Sequence, residues 1–187
     1  MAQPAVAPRM SYSAYVAAEA ASEARHEYWA GEVVAMAGGS PAHAALAASL
    51  ITHLSNALRG GPCRVYSSDL RVRVRATDAS FYPDVTVICG AVQTDPEDAH
   101  AAVNPTLLVE VLSPGTEGVD RGVKAAHYRR IASLREYVLV AQDAPRVEVF
   151  RRRDAGHWDF IEAGPGEAIE LESVGATLAV DEVYGAG

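Results

Sequence analysis

Lysine is almost missing from this chain of 187 residues: of its 16 basic Lys and Arg side chains, the only lysine is Lys124. A composition this rich in arginine and alanine uses guanidinium wherever either cation serves. One surviving lysine therefore marks a place for a compact ammonium, whose pKa its surroundings can tune. Cysteine is nearly as scarce. Cys63 and Cys89 are too few for a disulfide framework and too widely spaced for a metal-type pair, so both thiols are expected to be reduced in a cytoplasmic protein. Long apolar runs are also lacking; Leu107-Leu108-Val109 is typical, and nothing of that length crosses a bilayer. The opening MAQPAVAPRM lacks the apolar stretch of a signal peptide and reads as a flexible arm over residues 1–10. Net charge is −8, which argues against a broad non-specific DNA surface but leaves room for a local basic patch.

What remains is an ordinary globular balance, 49% hydrophobic and 21% charged, enough for one core; residues 11–187 are expected to form a single domain. Ser13 can cap a short helix ending near Ser22. Residues 25–36 read as two strands turning at Ala30-Gly31, with Glu32 opening the second. Ser40-Pro41 starts a helix in which Leu46, Leu50, Leu54 and Leu58 form one packed face. From Cys63 to Arg75, Leu70, Val72 and Val74 alternate with Arg71, Arg73 and Arg75, predicting one long half-exposed strand. It pairs with a second strand over 81–88, joined through Thr77-Asp78-Ala79. A loop without periodicity covers 90–104, and an apolar strand follows from Thr106 to Ser113. Asp120 can cap a helix to about Ala132. Three more strands lie near 137–141, 146–152 and 158–162, and a small element near 178–184. Hairpins outnumber crossovers, so the sheet is expected to be mixed.

Three charged residues stand out against this pattern. Glu110 interrupts a strand that is apolar on both faces, and such strands are central and covered on both sides. An ionised carboxylate there costs several kcal/mol unless a cation or donors meet it. A structural salt bridge is the plain alternative. Asp84 follows Pro83, which cannot donate to a ladder, so the local irregularity would aim the carboxylate out of the sheet. Lys124, Tyr128 and Ile131 share one helical stripe, turning the ammonium inward. Two carboxylates with one ammonium suit a hard divalent cation and a phosphate. Histidines 43, 53 and 127 do not form a zinc set.

The order Pro83-Asp84, a strand holding Glu110, then a lysine resembles the PD-(D/E)xK nuclease superfamily. HEYWAGEVVAM at 26–36, SSDLRVRV at 67–74, YPDVTV at 82–87, LLVEVLSPGT at 107–116, DRGVKAAHYRR at 120–130 and SLREYVLV at 133–140 are similar, more narrowly, to the Uma-two restriction endonuclease family, over residues 11 to 184. One departure matters: Leu112 stands where the superfamily pattern places lysine, and the match is Lys124 on the following helix. The resemblance implies a restriction-endonuclease-like α/β fold with a mixed sheet flanked by helices. It further implies Mg²⁺ or Mn²⁺ held by Asp84, Glu110 and the carbonyl of Val111, DNA as substrate, and Lys124 positioning the attacking water. Glu32, Ser113, His43 and Tyr128 would support the site, and Asp120 would serve only as a helix cap. A homodimer would present two symmetric sites to a duplex. The alternative from another class is a catalytically silent nuclease-fold module acting as a binding or scaffold protein. A two-carboxylate sugar or nucleotide hydrolase is weaker, because it leaves Lys124 without a task.

Overall fold

The structure is a computed structural model that describes residues 9–36, 38–154 and 156–185. Residues 1–8 of the expected N-terminal arm lie outside the described residues. Met10, at its end, donates its N–H to the carbonyl of Gly31 at 2.9 Å.

Helix α1 (Tyr12–Ala20) is capped by Ser11, whose Oγ accepts from the N–H of Ala14 at 3.2 Å; Ser13 lies inside the helix. Strands β1 (His26–Trp29) and β2 (Glu32–Ala35) form the expected hairpin. Its two turn residues, Ala30 and Gly31, have φ of 49° and 91°, the left-handed pair that a two-residue hairpin of right-handed twist requires. Helix α2 (Pro41–Ala57) starts where Ser40 accepts from the N–H of His43, with Pro41 at the first helical position, where its missing N–H costs nothing.

The single long strand expected over 63–75 is two strands, β3 (Cys63–Ser67) and β4 (Arg71–Val74), in different sheets. Its partner divides likewise into β5 (Ala79–Phe81) and β6 (Val85–Cys89), broken at Tyr82-Pro83-Asp84. A long hairpin thus folds sharply in the middle and contributes one half to each sheet. Arg71 and Arg73 are buried rather than solvent-facing. Asp98 holds Arg71, Asp78 holds Arg73, and the guanidinium of Arg73 lies 3.4 Å from the ring centre of Tyr12. The expected loop at 90–104 carries two short strands, β7 (Thr94–Asp95) and β8 (Asp98–Ala102).

Next come β9 (Leu107–Leu112), α3 (Glu117–Val119), a π-helical turn (Asp120–Lys124) and α4 (Ala125–Tyr128). The helical stretch therefore begins three residues before Asp120, which is not its cap. Strands β10 (Glu136–Ala141), β11 (Val147–Arg152) and β12 (Trp158–Ala163) lie where expected, and β13 (Ala168–Leu171), β14 (Ala176–Ala179) and α5 (Val180–Tyr184) close the chain.

Among the described residues one mixed sheet runs β2-β1-β5-β4-β8-β7, a second β12-β11-β10-β9-β6-β3, and β13 and β14 form a separate antiparallel pair. The second is the middle layer. On one side Leu107, Val109 and Val111 pack with Leu46, Leu50 and Leu54 of α2; on the other Leu108 and Leu112 pack with Phe81, Ala125 and Tyr128. Each fully buried leucine, valine or phenylalanine among them contributes roughly 1.5–3 kcal/mol. Strand β9 is parallel to β10 and antiparallel to β6, so it is covered on both faces and both edges. Within that register Cys63 faces Cys89 across β3 and β6, and the two are joined in a disulfide rather than reduced as expected. Their separation along the sequence concealed a direct cross-strand pairing.

Candidate active site

The ladder between β6 and β9 ends at Val85–Val109, leaving Asp84 and Val111 beyond its last pair. Asp84 replaces a missing strand residue: its Oδ2 accepts the N–H of Val111 at 2.7 Å. The Val111 carbonyl lies on the same edge of its strand as that N–H. It faces His43, whose protonated form it favours. His43, in the first turn of α2, places Nε2 3.2 Å from Asp84 Oδ2. That hydrogen bond raises the His43 pKa, outweighing the lowering by burial. The ring also needs Gly39 bare, since a Cβ there would come within 2.7 Å of Nδ1.

Glu110 is 3% exposed, with its side chain on the Leu108–Leu112 face of β9. Its Oε1 accepts from Tyr128 Oη at 2.9 Å and from Lys124 Nζ at 3.2 Å. Lys124, 7% exposed, also meets Glu27 Oε1 at 2.9 Å and Asp120 Oδ1 at 3.3 Å. The π-helical turn sets this arrangement. Its widened i→i+5 bond, from the N–H of Ala125 to the carbonyl of Asp120, swings both Asp120 and Lys124 inward. Tyr137 Oη donates to the same carbonyl at 3.0 Å and holds the turn from beneath.

The electrostatics divide the two central groups. Burial pushes Glu110 well above the usual carboxylate range, and Asp84, Asp120 and Glu27 push it further, against Lys124. Burial alone would lower Lys124; Glu110, Glu27 and Asp120 more than offset it, so the ammonium stays protonated. Four carboxylates thus share one lysine and one histidine, an excess of negative charge in a poorly solvated place.

Asp84, Glu110, Val111, Ser113, His43, Asp120 and Lys124 line one cavity of about 360 Å³. Ser113 bonds Thr116, Oγ to Oγ1 at 3.1 Å, and shapes the turn at the cavity's rim. Tyr128 acts from below, through Glu110. Glu32 is not brought to the site: it lies on the exposed strand β2, opposite Trp29. Glu27, on β1, takes the place expected of Glu32. Asp120 is a buried partner of Lys124, not a cap.

Among the described residues no three His, Cys, Asp or Glu side chains are gathered into a metal-holding group. The donors on offer are two carboxylates and a backbone carbonyl. Asp84 Oδ1 and Glu110 Oε2 accept no hydrogen bond from any described residue, and both side chains line the same cavity. A hard cation such as Mg²⁺ takes one or two carboxylates and completes its shell with water and substrate oxygens, so this set fits it.

The comparisons with known proteins agree with this architecture. Residues 12–181 match the family model described as "Uma2: Putative restriction endonuclease", and the chain belongs to that family. An uncharacterized protein of Synechocystis sp. is 35% identical over 180 residues, covering 95% of this chain and 92% of its own. A second from the same organism is 32% identical over 158 residues, covering 84% and 89%. The fold is that of a crystal structure from Anabaena variabilis titled a putative nuclease belonging to DUF820. Its TM-score is 0.71 at 16% identity, over 88% of this chain and 92% of the other. Among the described residues no helix is long and apolar enough to cross a membrane.

Proposed function

We propose that this protein is a divalent-metal-dependent endonuclease that hydrolyses phosphodiester bonds in DNA. The observation that carries the reading is the pair of carboxylate oxygens, Asp84 Oδ1 and Glu110 Oε2, left without donors on one cavity beside the carbonyl of Val111. These three oxygens would hold Mg²⁺ or Mn²⁺. When bound, the ion supplies charge neutralisation at the scissile phosphate and makes water easier to deprotonate.

The chain's own groups do the rest. Lys124, fixed by Glu27 and Asp120, keeps a positive charge beside Glu110 and orients the attacking water or offsets charge that develops on the phosphate. Tyr128 fixes the rotamer of Glu110 by donating to Oε1, which leaves Oε2 without a donor. The N–H of Val111 and the ring of His43 hold Asp84 in the same way through Oδ2. Each ligand is oriented through one oxygen and open at the other, an arrangement that limits reorganisation during reaction.

One observation favours the silent-module reading: Lys124 already meets three carboxylates. Supercoiled plasmid separates the two. Nicking with Mn²⁺ or Mg²⁺ that stops in EDTA supports the nuclease; metal binding with no cleavage of any DNA supports the silent module.

A further inference from the structure

Most of the arginines are occupied: Arg71, Arg73, Arg75, Arg121 and Arg151 each hold a carboxylate. Arg129, Arg130, Arg135 and Arg152, like Arg9, Arg59 and Arg64, are different. None forms an ion pair with a described residue, although the chain carries a net charge of −8. The backbones of Arg129, Arg135 and Arg152 are also brought together. Arg152 donates through Nη2 to the carbonyls of Arg129 and Ile131, both at 2.8 Å, and its N–H bonds the carbonyl of Arg135 at 2.8 Å. Its Nε is buried with no hydrogen-bond partner. The pKa of Arg152 is lowered by burial and by the charge of Arg135, so an anion placed here relieves a repulsion built into the fold. Arg135 and Arg152, with Arg129 and Arg130 at the adjoining helix end, carry no counter-charge from a described residue and await an anion from outside.

Aromatic rings lie beside them. Arg152 and Trp158 are opposite each other on β11 and β12, with the guanidinium 4.6 Å from the ring centre. Two residues along the same face of β12, the edge strand of its sheet, Phe160 is 55% exposed. Guanidinium groups next to an open ring suit phosphates carrying flat bases, and the ring can stack only on a base that is not already paired and stacked. Glu148 and Glu162, further along that face, end it.

We propose that Arg129, Arg130, Arg135 and Arg152, together with Phe160, form a docking surface for single-stranded nucleic acid at the far end of the helical segment that carries Lys124. This rests on the nuclease reading only for the choice of ligand. It adds to that reading a preference for unpaired strands.

The test uses the full chain carrying Glu110→Gln, so that nothing is cut, and fluorescence anisotropy with two probes. These are a fluorescein-labelled oligothymidylate of about 20 nucleotides and a hairpin duplex of equal charge. Phe160→Ala should weaken the oligothymidylate about fivefold or more and leave the duplex within about twofold. Arg130→Ala with Arg135→Ala should reduce the salt slope of oligothymidylate binding by about 1.4, from roughly 0.7 per lost phosphate contact. All three arginines at 129, 130 and 135 are exposed, and circular dichroism checks that the fold survives. Unchanged oligothymidylate binding in both variants, an equal loss on the duplex, or no binding at all would overturn the surface. Hydrolysis of bis(p-nitrophenyl) phosphate with Mn²⁺, in chains without the Glu110 change, reports the cavity alone. Diester hydrolysis with patch variants that bind like the parent sinks only the surface; patch-dependent binding with no hydrolysis sinks only the nuclease reading.

Discussion

Lys124→Met is the perturbation that weighs the charge centre most sharply. It removes the one ammonium shared by Glu27, Glu110 and Asp120 and leaves three carboxylates in a space from which water is largely excluded. Breaking a buried ion pair from one side costs about 3–5 kcal/mol. In a chain of this size that corresponds to a fall in melting temperature of roughly 6–20 °C. Glu110→Gln should behave in the opposite way. Lys124 keeps Glu27 and Asp120, the Tyr128 hydroxyl still finds an amide oxygen, and the most strongly destabilised charge is gone. The metal-free variant should be between unchanged and about 1 kcal/mol more stable at neutral pH. The sign follows from linkage. The pKa of Glu110 is raised in the folded state, so its cost is absent below the unfolded value of about 4.3 and grows as pH rises through the folded one. The advantage of Glu110→Gln should therefore disappear in acid. The assay is thermal melting in EDTA at pH 4 and pH 7. Lys124→Met as stable as the parent would refute the charge centre, and Glu110→Gln markedly less stable at pH 7 would make Lys124 and Glu110 an ordinary structural salt bridge.

Lys124→Arg should keep the charge but lose about 100-fold in cleavage rate, because a planar fork cannot fit among carboxylates at 2.9–3.3 Å without moving them; near-parental turnover in the plasmid assay would contradict this. His127 is pushed below the usual histidine pKa by burial, so the stability it contributes is present above about pH 6.5 and is lost as pH falls. His127→Gln should accordingly flatten the acid side of the melting profile, and an unaltered profile would count against it. Reducing Cys63–Cys89, 26 residues apart, should lower stability by about 3 kcal/mol in the chain-entropy account, read as urea melting with and without dithiothreitol.

The legible parts of the site were those with a strong local contrast. Glu110 stands alone in a strand apolar on both faces, and Lys124 is the only lysine, so both could be read from pattern. Glu27 could not. In the four residues of β1, Glu27 and Tyr28 are both buried, which breaks the alternation that would have marked a buried face. The approach of Lys124 from a distant helix, together with the N–H of Tyr82, explains it. Asp120 was misread because an aspartate after Pro114-Gly115 looks like a cap. The helix in fact starts earlier and widens into a π-turn, which no local propensity announces. Arg71 and Arg73 satisfied the rule for a half-exposed strand, yet the tyrosines of α1 and β1 cover them. The same alternation fits a solvated arginine and one stacked under aromatic rings.

The central claim is that Asp84, Glu110 and the Val111 carbonyl hold one divalent ion. Anomalous diffraction from a crystal soaked in Mn²⁺ tests it most directly. The account predicts one strong peak about 2.1 Å from Asp84 Oδ1, Glu110 Oε2 and the Val111 carbonyl oxygen, absent from crystals of Asp84→Asn. A cavity without a peak at saturating Mn²⁺, or a peak that does not touch Glu110, would contradict it.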